Sequence, residues 1–221
     1  VNGGEAMDKE IIINTLPILL KGCVMTVELT VITLIVGTVL GILLALAKLS
    51  KTVAFRTISG FYTWIFRGTP LLLQLFFFYY GLPFMGLELS PFSAAVLGLS
   101  LNCAAYMAEI VRGGIQSIDK GQFEAAKALS FSYTDTMRRI ILPQTFKVII
   151  PPVGNEFIAI LKDTSLVSTI AMVELMRSSQ QMYATTFKPI EIFLTSGILY
   201  LLMTTVFTGV FSLFERKLSI Y

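Results

Sequence analysis

GCVMTVELTVITLIVGTVLGILLALA, residues 22–47, carries Glu28 as its only charge. At about 1.5 Å per residue a helix of that length crosses about 30 Å of hydrocarbon with room to tilt, and few soluble helices need it. The whole chain shares the bias: of 221 residues 55% are hydrophobic and 14% charged, and the mean hydropathy is +0.77. A helix satisfies its own backbone in lipid, so the expected fold class is all-α, a polytopic membrane protein.

Working outward, four more apolar segments follow: Ile58 to Leu82, Phe92 to Val111, Val148 to Met172 and Ile190 to Phe214. Five crossings are expected in one transmembrane domain over residues 1–221. Basic residues set the orientation. Lys48, Lys51 and Arg56 follow the first segment, Arg112, Lys120, Lys127, Arg138, Arg139 and Lys147 the third, and Arg216 and Lys217 the fifth. The alternate side carries Lys9, Lys21, Arg177 and Lys188, so the N-terminus is expected outside and the C-terminus in the cytoplasm. The long connection 112–147 is then cytoplasmic, and its alanines and apolar spacing argue for helix.

The composition also excludes functions. A net charge of +3 with dispersed basic residues gives no nucleic-acid surface. Histidine is absent, which removes imidazole relays and histidine-based triads. Cys23 and Cys103 lie inside apolar runs and read as small packing residues. Glu5, Asp8 and Glu10 precede a run too long for a signal-peptide core, so the first helix is expected to remain as an anchor, and Met7 is a candidate start that would make Val1 to Ala6 an extension.

Gly37, Gly41 and Ala45 form a small-residue stripe suited to close helix packing. The second segment is interrupted by RGTP, Arg67 to Pro70. Two readings stay open here. In one, Thr69 caps a helix that restarts at Pro70 inside the membrane, leaving free N–H groups for a carboxylate; in the other, Arg67 snorkels to the headgroups and RGTP marks the interface. The fourth segment is unusually polar, with Pro151, Pro152, Gly154, Asn155, Glu156, Lys162, Asp163, Thr164, Ser165 and Ser168. A charged group at depth costs at least ~2.5 kcal/mol on insertion scales and normally faces a bundle interior or wet cavity. Glu156 and Asp163, seven residues apart, share a helix face at roughly 10 Å. Lys162 neutralising one of them is the structural alternative to contact with a substrate. With Asn102 and Thr69, these two carboxylates are the candidate substrate-binding residues.

EAAKALS, Glu124 to Ser130, is followed after nine residues by IILP, Ile140 to Pro143. This resembles the EAA loop of binding-protein-dependent ABC importers, with Ser130 at the position of the pattern's glycine. FRGTPLLLQLFFFYYGLP (66–83), AAYMAEIVRGGIQSI (104–118), GQFEAAKALS, ILPQ and LKDTSLVS (161–168) extend the likeness over nearly the whole chain, to the polar amino acid permeases of the histidine, glutamine and arginine type. The resemblance implies a type I importer permease: five membrane helices, two copies forming the pathway, and a coupling helix docking on a separate ATPase. It also implies a bacterial inner-membrane location and an extracytoplasmic amino acid-binding protein. Glu124, Ala125, Ala126, Ser130 and Tyr133 are the expected coupling residues. No GxxxxGK[ST] pattern occurs, so ATP and Mg are expected in the partner, with no cofactor in this chain. Because two carboxylates face one lysine in the fourth segment, arginine, lysine or histidine is favoured as substrate over glutamine. An ion-coupled secondary transporter using Glu109, Glu156 and Asp163 is the alternative, followed by a non-transporting sensor subunit; no nucleophile–base pair favours an enzyme.

Overall fold

The computed structural model describes residues 8–219, and the Met7 start and the Val1 to Ala6 extension lie outside them. Helices follow one another without a strand among the described residues: α1 (Lys9–Leu49), α2 (Val53–Gly68), α3 (Leu71–Phe76), α4 (Pro91–Gln116), α5 (Lys120–Ala128), α6 (Tyr133–Thr136), α7 (Leu142–Asp163), α8 (Leu175–Thr186) and α9 (Pro189–Ser219). Three of these, α1, α4 and α9, are alone long and apolar enough to cross a membrane. The other two crossings are composite. One joins α2 to α3 and its π and 3-10 continuation through Met85, and the other joins α7 to a 3-10 turn over Thr164–Ile170.

The first helix is longer than its apolar run. It starts at Lys9 because the Asp8 side chain accepts hydrogen bonds from the Glu10 and Ile11 amides at 3.1 and 3.4 Å. Hydropathy marks the lipid crossing, while capping marks the helix. The extra turns bury Thr15 and Leu19, and Gly22 meets α8 where an added Cβ would stand 2.8 Å from Leu175 Cα. Further along, Thr26, Thr30, Thr33, Gly37, Gly41 and Ala45 continue one buried stripe. It packs along α4. A Cβ on Gly41 would lie 2.5 Å from that of Met107, and one on Gly37 would strike Cys103, so these glycines serve close helix approach, as expected.

The stretch between α4 and α7 is helical, as its composition suggests. Asp119 caps α5 by accepting from the Gly121 amide at 2.6 Å, and Ser132 caps α6 by accepting from Asp135 N at 3.1 Å. Between them the chain makes a Schellman turn: Phe131 N donates to Ala126 O and Ser130 N to Lys127 O, both at 3.0 Å. Ser130 takes φ 58°, the left-handed geometry that glycine supplies without steric cost. Ser130→Gly is therefore expected to stabilise this turn by about 1 kcal/mol. Amide hydrogen exchange across α5 should slow in the variant; faster exchange would show that Ser130 contributes more than its backbone costs.

From Tyr133 the helix runs on through a π turn, Met137–Ile141, into α7. The widened turn sits where Pro143 lacks an N–H, so the helix passes the IILP motif without a break. At the far end of α7, Ala171 adopts φ 62° and Glu174 begins α8, accepting from Met176 N and Arg177 N at 2.7 Å and from the Tyr200 hydroxyl at 2.9 Å. Glu174 is fully buried, and burial pushes its carboxyl above the ordinary glutamate range against the pull of those hydrogen bonds.

Candidate functional site

The RGTP break sits beside Asn102, near the middle of α4. Phe66 O accepts from Asn102 Nδ2 at 3.0 Å and from Gln74 Nε2 at 2.9 Å, so two side-chain amides satisfy a carbonyl freed where α2 ends. Gln74 Nε2 also reaches Thr69 Oγ1 at 2.8 Å, and Gln74 Oε1 accepts from Asn102 at 3.0 Å. This favours the helix break within the bundle over the interface marker.

The capping assignment changes, however. Thr69 is the C-cap of α2, and its hydroxyl donates back to Ile65 O at 2.9 Å; Pro70 precedes α3 and offers no side-chain cap. The reason is local: the Thr69 hydroxyl turns onto the last turn of α2, where it shares Ile65 O with its own backbone N–H, which donates at 3.1 Å. Only six residues long, α3 carries a weak dipole, and both amide hydrogens of Asn102 are directed at protein acceptors. Gln74→Leu should therefore damage the site more than Thr69→Ala, because it takes the acceptor from one Asn102 amide hydrogen and one of two donors from Phe66 O, at about 1 to 3 kcal/mol for the buried group left unpaired. Thermal unfolding of the two purified variants tests this ranking, and equal melting temperatures would contradict it.

Arg67 is the group the sequence reading underused. It reaches the carboxylate of Glu109 at 4.0 Å and stacks over the Tyr106 ring at 5.3 Å, yet its guanidinium makes no hydrogen bond among the described residues and is 44% exposed. Glu109 is held more firmly by others. Lys48 donates to one oxygen, while Arg112 Nε and Nη2 donate to the other at 3.0 and 2.7 Å. Lys48 also donates to Thr63 at 2.7 Å, so α1, α2 and α4 are tied at one point. A cleft of about 500 Å³ opens here, lined by Thr63, Trp64, Arg67 and Glu109 among others. A carboxylate so fully occupied by cations is a poor ligand for a coupling ion.

Glu156 and Asp163 lie on α7, both half-buried, and Lys162 is exposed. Lys162 makes no ion pair with either among the described residues. Arg67 and α7 border the same helix, Arg67 through Tyr106 and Glu109 and α7 through Val153 and Ile160 packed on Cys103 and Met107, a relation that counting along the fourth segment alone missed. At the coupling stretch, Glu124, Ala125, Ser130 and Tyr133 are exposed, whereas Ala126 is 1% exposed and packs inward. Ala126 thus presents almost no surface to a partner.

Helices that cross a membrane around a polar break, joined to an exposed helical turn, define a transport component. Residues 37–220 match the family described as the binding-protein-dependent transport system inner membrane component. The chain is 42% identical to the arginine transport system permease protein ArtQ of Bacillus subtilis (strain 168), over 96% of this chain and 98% of that one. It is 40% identical to the L-cystine transport system permease protein TcyB of the same organism, over 93% and 88%. Among solved structures, an amino acid ABC transporter crystallised with histidines superposes with a TM-score of 0.92 at 37% identity, covering 96% of this chain and 100% of that chain. The MetNI methionine ABC transporter shares the fold at a TM-score of 0.74 and 19% identity, over 92% and 97%. The chain belongs to the inner-membrane permease family of binding-protein-dependent ABC importers, among its amino acid permeases. It is a multi-pass transport subunit without an ATPase site of its own, and ATPase subunits are its partners.

Proposed function

We propose that this permease carries basic amino acids inward, with the substrate held between Arg67 and the two carboxylates of α7. The observation that supports this most is the arrangement of charge: Glu156 and Asp163 without ion-pair partners among the described residues, and an Arg67 guanidinium held to Glu109 at 4.0 Å with no hydrogen bond. A zwitterion with a cationic side chain complements that set. Its α-carboxylate takes the bidentate donors of Arg67, and its ammonium or guanidinium groups take Glu156 and Asp163. Asn102 and Thr69 then shape the break instead of gripping the carboxylate. The 42% identity to an arginine permease agrees with this, although other relatives are named for cystine and glutamine.

In the same reading residues 1–221 are one pathway domain, two copies form the pathway, and the N-terminus lies outside with the C-terminus in the cytoplasm. Residues 112–147 then face the ATPase, and an extracytoplasmic binding protein delivers the substrate. ATP and Mg stay with the partner. In proteoliposomes containing the permease, its ATPase and a receptor that delivers both amino acids, arginine uptake should exceed glutamine uptake, require ATP and persist with an uncoupler. Faster glutamine uptake would refute the basic-substrate reading, and collapse with the uncoupler would favour ion coupling.

A further inference from the structure

An apolar crevice of about 610 Å³ opens between α1, α4, α7 and α9. Met107 and Val111 form its floor, Ile42, Phe146 and Phe214 its walls, and Lys217 stands at one end as the charged group of the lining. At about 100° per residue, Glu109 projects roughly 200° around α4 from Met107, so the crevice lies across that helix from the polar cleft. On α7, Ile149 and Val153 line it, seven and three residues before Glu156, so its inner end lies about one turn from the proposed path.

We infer that this crevice holds one acyl chain of an anionic phospholipid, with the phosphate at Lys217. Water has almost no polar partners there, and an empty crevice forfeits dispersion contacts on every wall. In a bilayer the available filler of matching shape is a hydrocarbon chain. Lys217 makes no ion pair among the described residues, and it joins the apolar lining near the end of α9, where a snorkelling cation would sit. A cation on an otherwise apolar slot selects an anionic headgroup over a zwitterionic one.

The test uses tryptophan fluorescence of the assembled transporter in vesicles. Trp64 is the chain's single tryptophan. In a Trp64→Phe background, Phe146→Trp reports the crevice and Leu201→Trp, on the exposed face of α9, reports bulk lipid. Brominated phosphatidylglycerol should quench residue 146 at about fivefold lower mole fraction than brominated phosphatidylcholine, with no such difference at residue 201. Lys217→Gln should erase the preference. Equal quenching of residue 146 by both lipids would mean unselective bulk contact, and no quenching would mean that protein, such as a second copy, covers the crevice; either overturns the inference. Native mass spectrometry of the unmutated and Lys217→Gln complexes gives an independent reading, with retained phosphatidylglycerol expected only in the former.

Discussion

Ala125→Asp is expected to lower ATP-driven uptake by about tenfold or more while the permease still inserts. Ala125 is exposed on α5, beside a surface to which Leu129 and Tyr133 contribute at 70% and 76% exposure. No other part of the chain covers that face among the described residues. In the proposed role it meets the ATPase, where a carboxylate loses its water without gaining a partner; about 1 to 3 kcal/mol of desolvation weakens docking by about fivefold to a hundredfold. Ala126→Asp should behave differently although it is the adjacent residue. Buried beneath the Schellman turn, it should melt the loop itself. Amide exchange across α5 separates the two cases, fast in Ala126→Asp and unchanged in Ala125→Asp. Normal uptake by Ala125→Asp would place the ATPase contact elsewhere.

The second large effect concerns Glu156. Replacing it with glutamine keeps shape and removes charge, so Glu156→Gln should reduce arginine flux by about tenfold, the worth of one charge-assisted hydrogen bond, and leave glutamine flux within about twofold. In the proposed mode Arg67 receives the α-carboxylate at the other end of the substrate. Arg67→Ala should therefore depress both fluxes, since both amino acids present an α-carboxylate. Equal loss of arginine and glutamine flux in Glu156→Gln would make Glu156 a structural residue and leave selectivity with the receptor.

Much of this molecule was legible in its sequence because the membrane imposes lengths. Gly22 to Ala47 marked a crossing, and the Gly37, Gly41 and Ala45 stripe named the face of α1 that meets α4. Alanines and apolar spacing between Arg112 and Lys147 pointed to helix, which the structure has, whereas the left-handed geometry at Ser130 was not readable from a residue with a Cβ. What failed to show was everything that depends on two segments meeting. Thr69 reads as an N-cap by residue type, yet the direction of its hydroxyl is decided by the Ile65 carbonyl behind it. Arg67 and Glu109 are 42 positions apart, and only helix packing reveals that Lys48, Arg67 and Arg112 converge on one carboxylate. Ala125 and Ala126 are alike in composition, and only the turn at 126–131 separates an exposed alanine from a buried one. The extension of α1 to Lys9 was hidden because its first turns follow the Asp8 cap and the packing against α8, neither of which raises hydropathy.

The central claim is that the substrate passes between Arg67 and the α7 carboxylates. A structure of the assembled transporter with bound arginine tests it most directly. The account predicts density with the α-carboxylate within hydrogen-bond distance of the Arg67 guanidinium and the cationic end against Glu156 or Asp163. Arginine bound within the permease but touching neither Arg67 nor either carboxylate would contradict it.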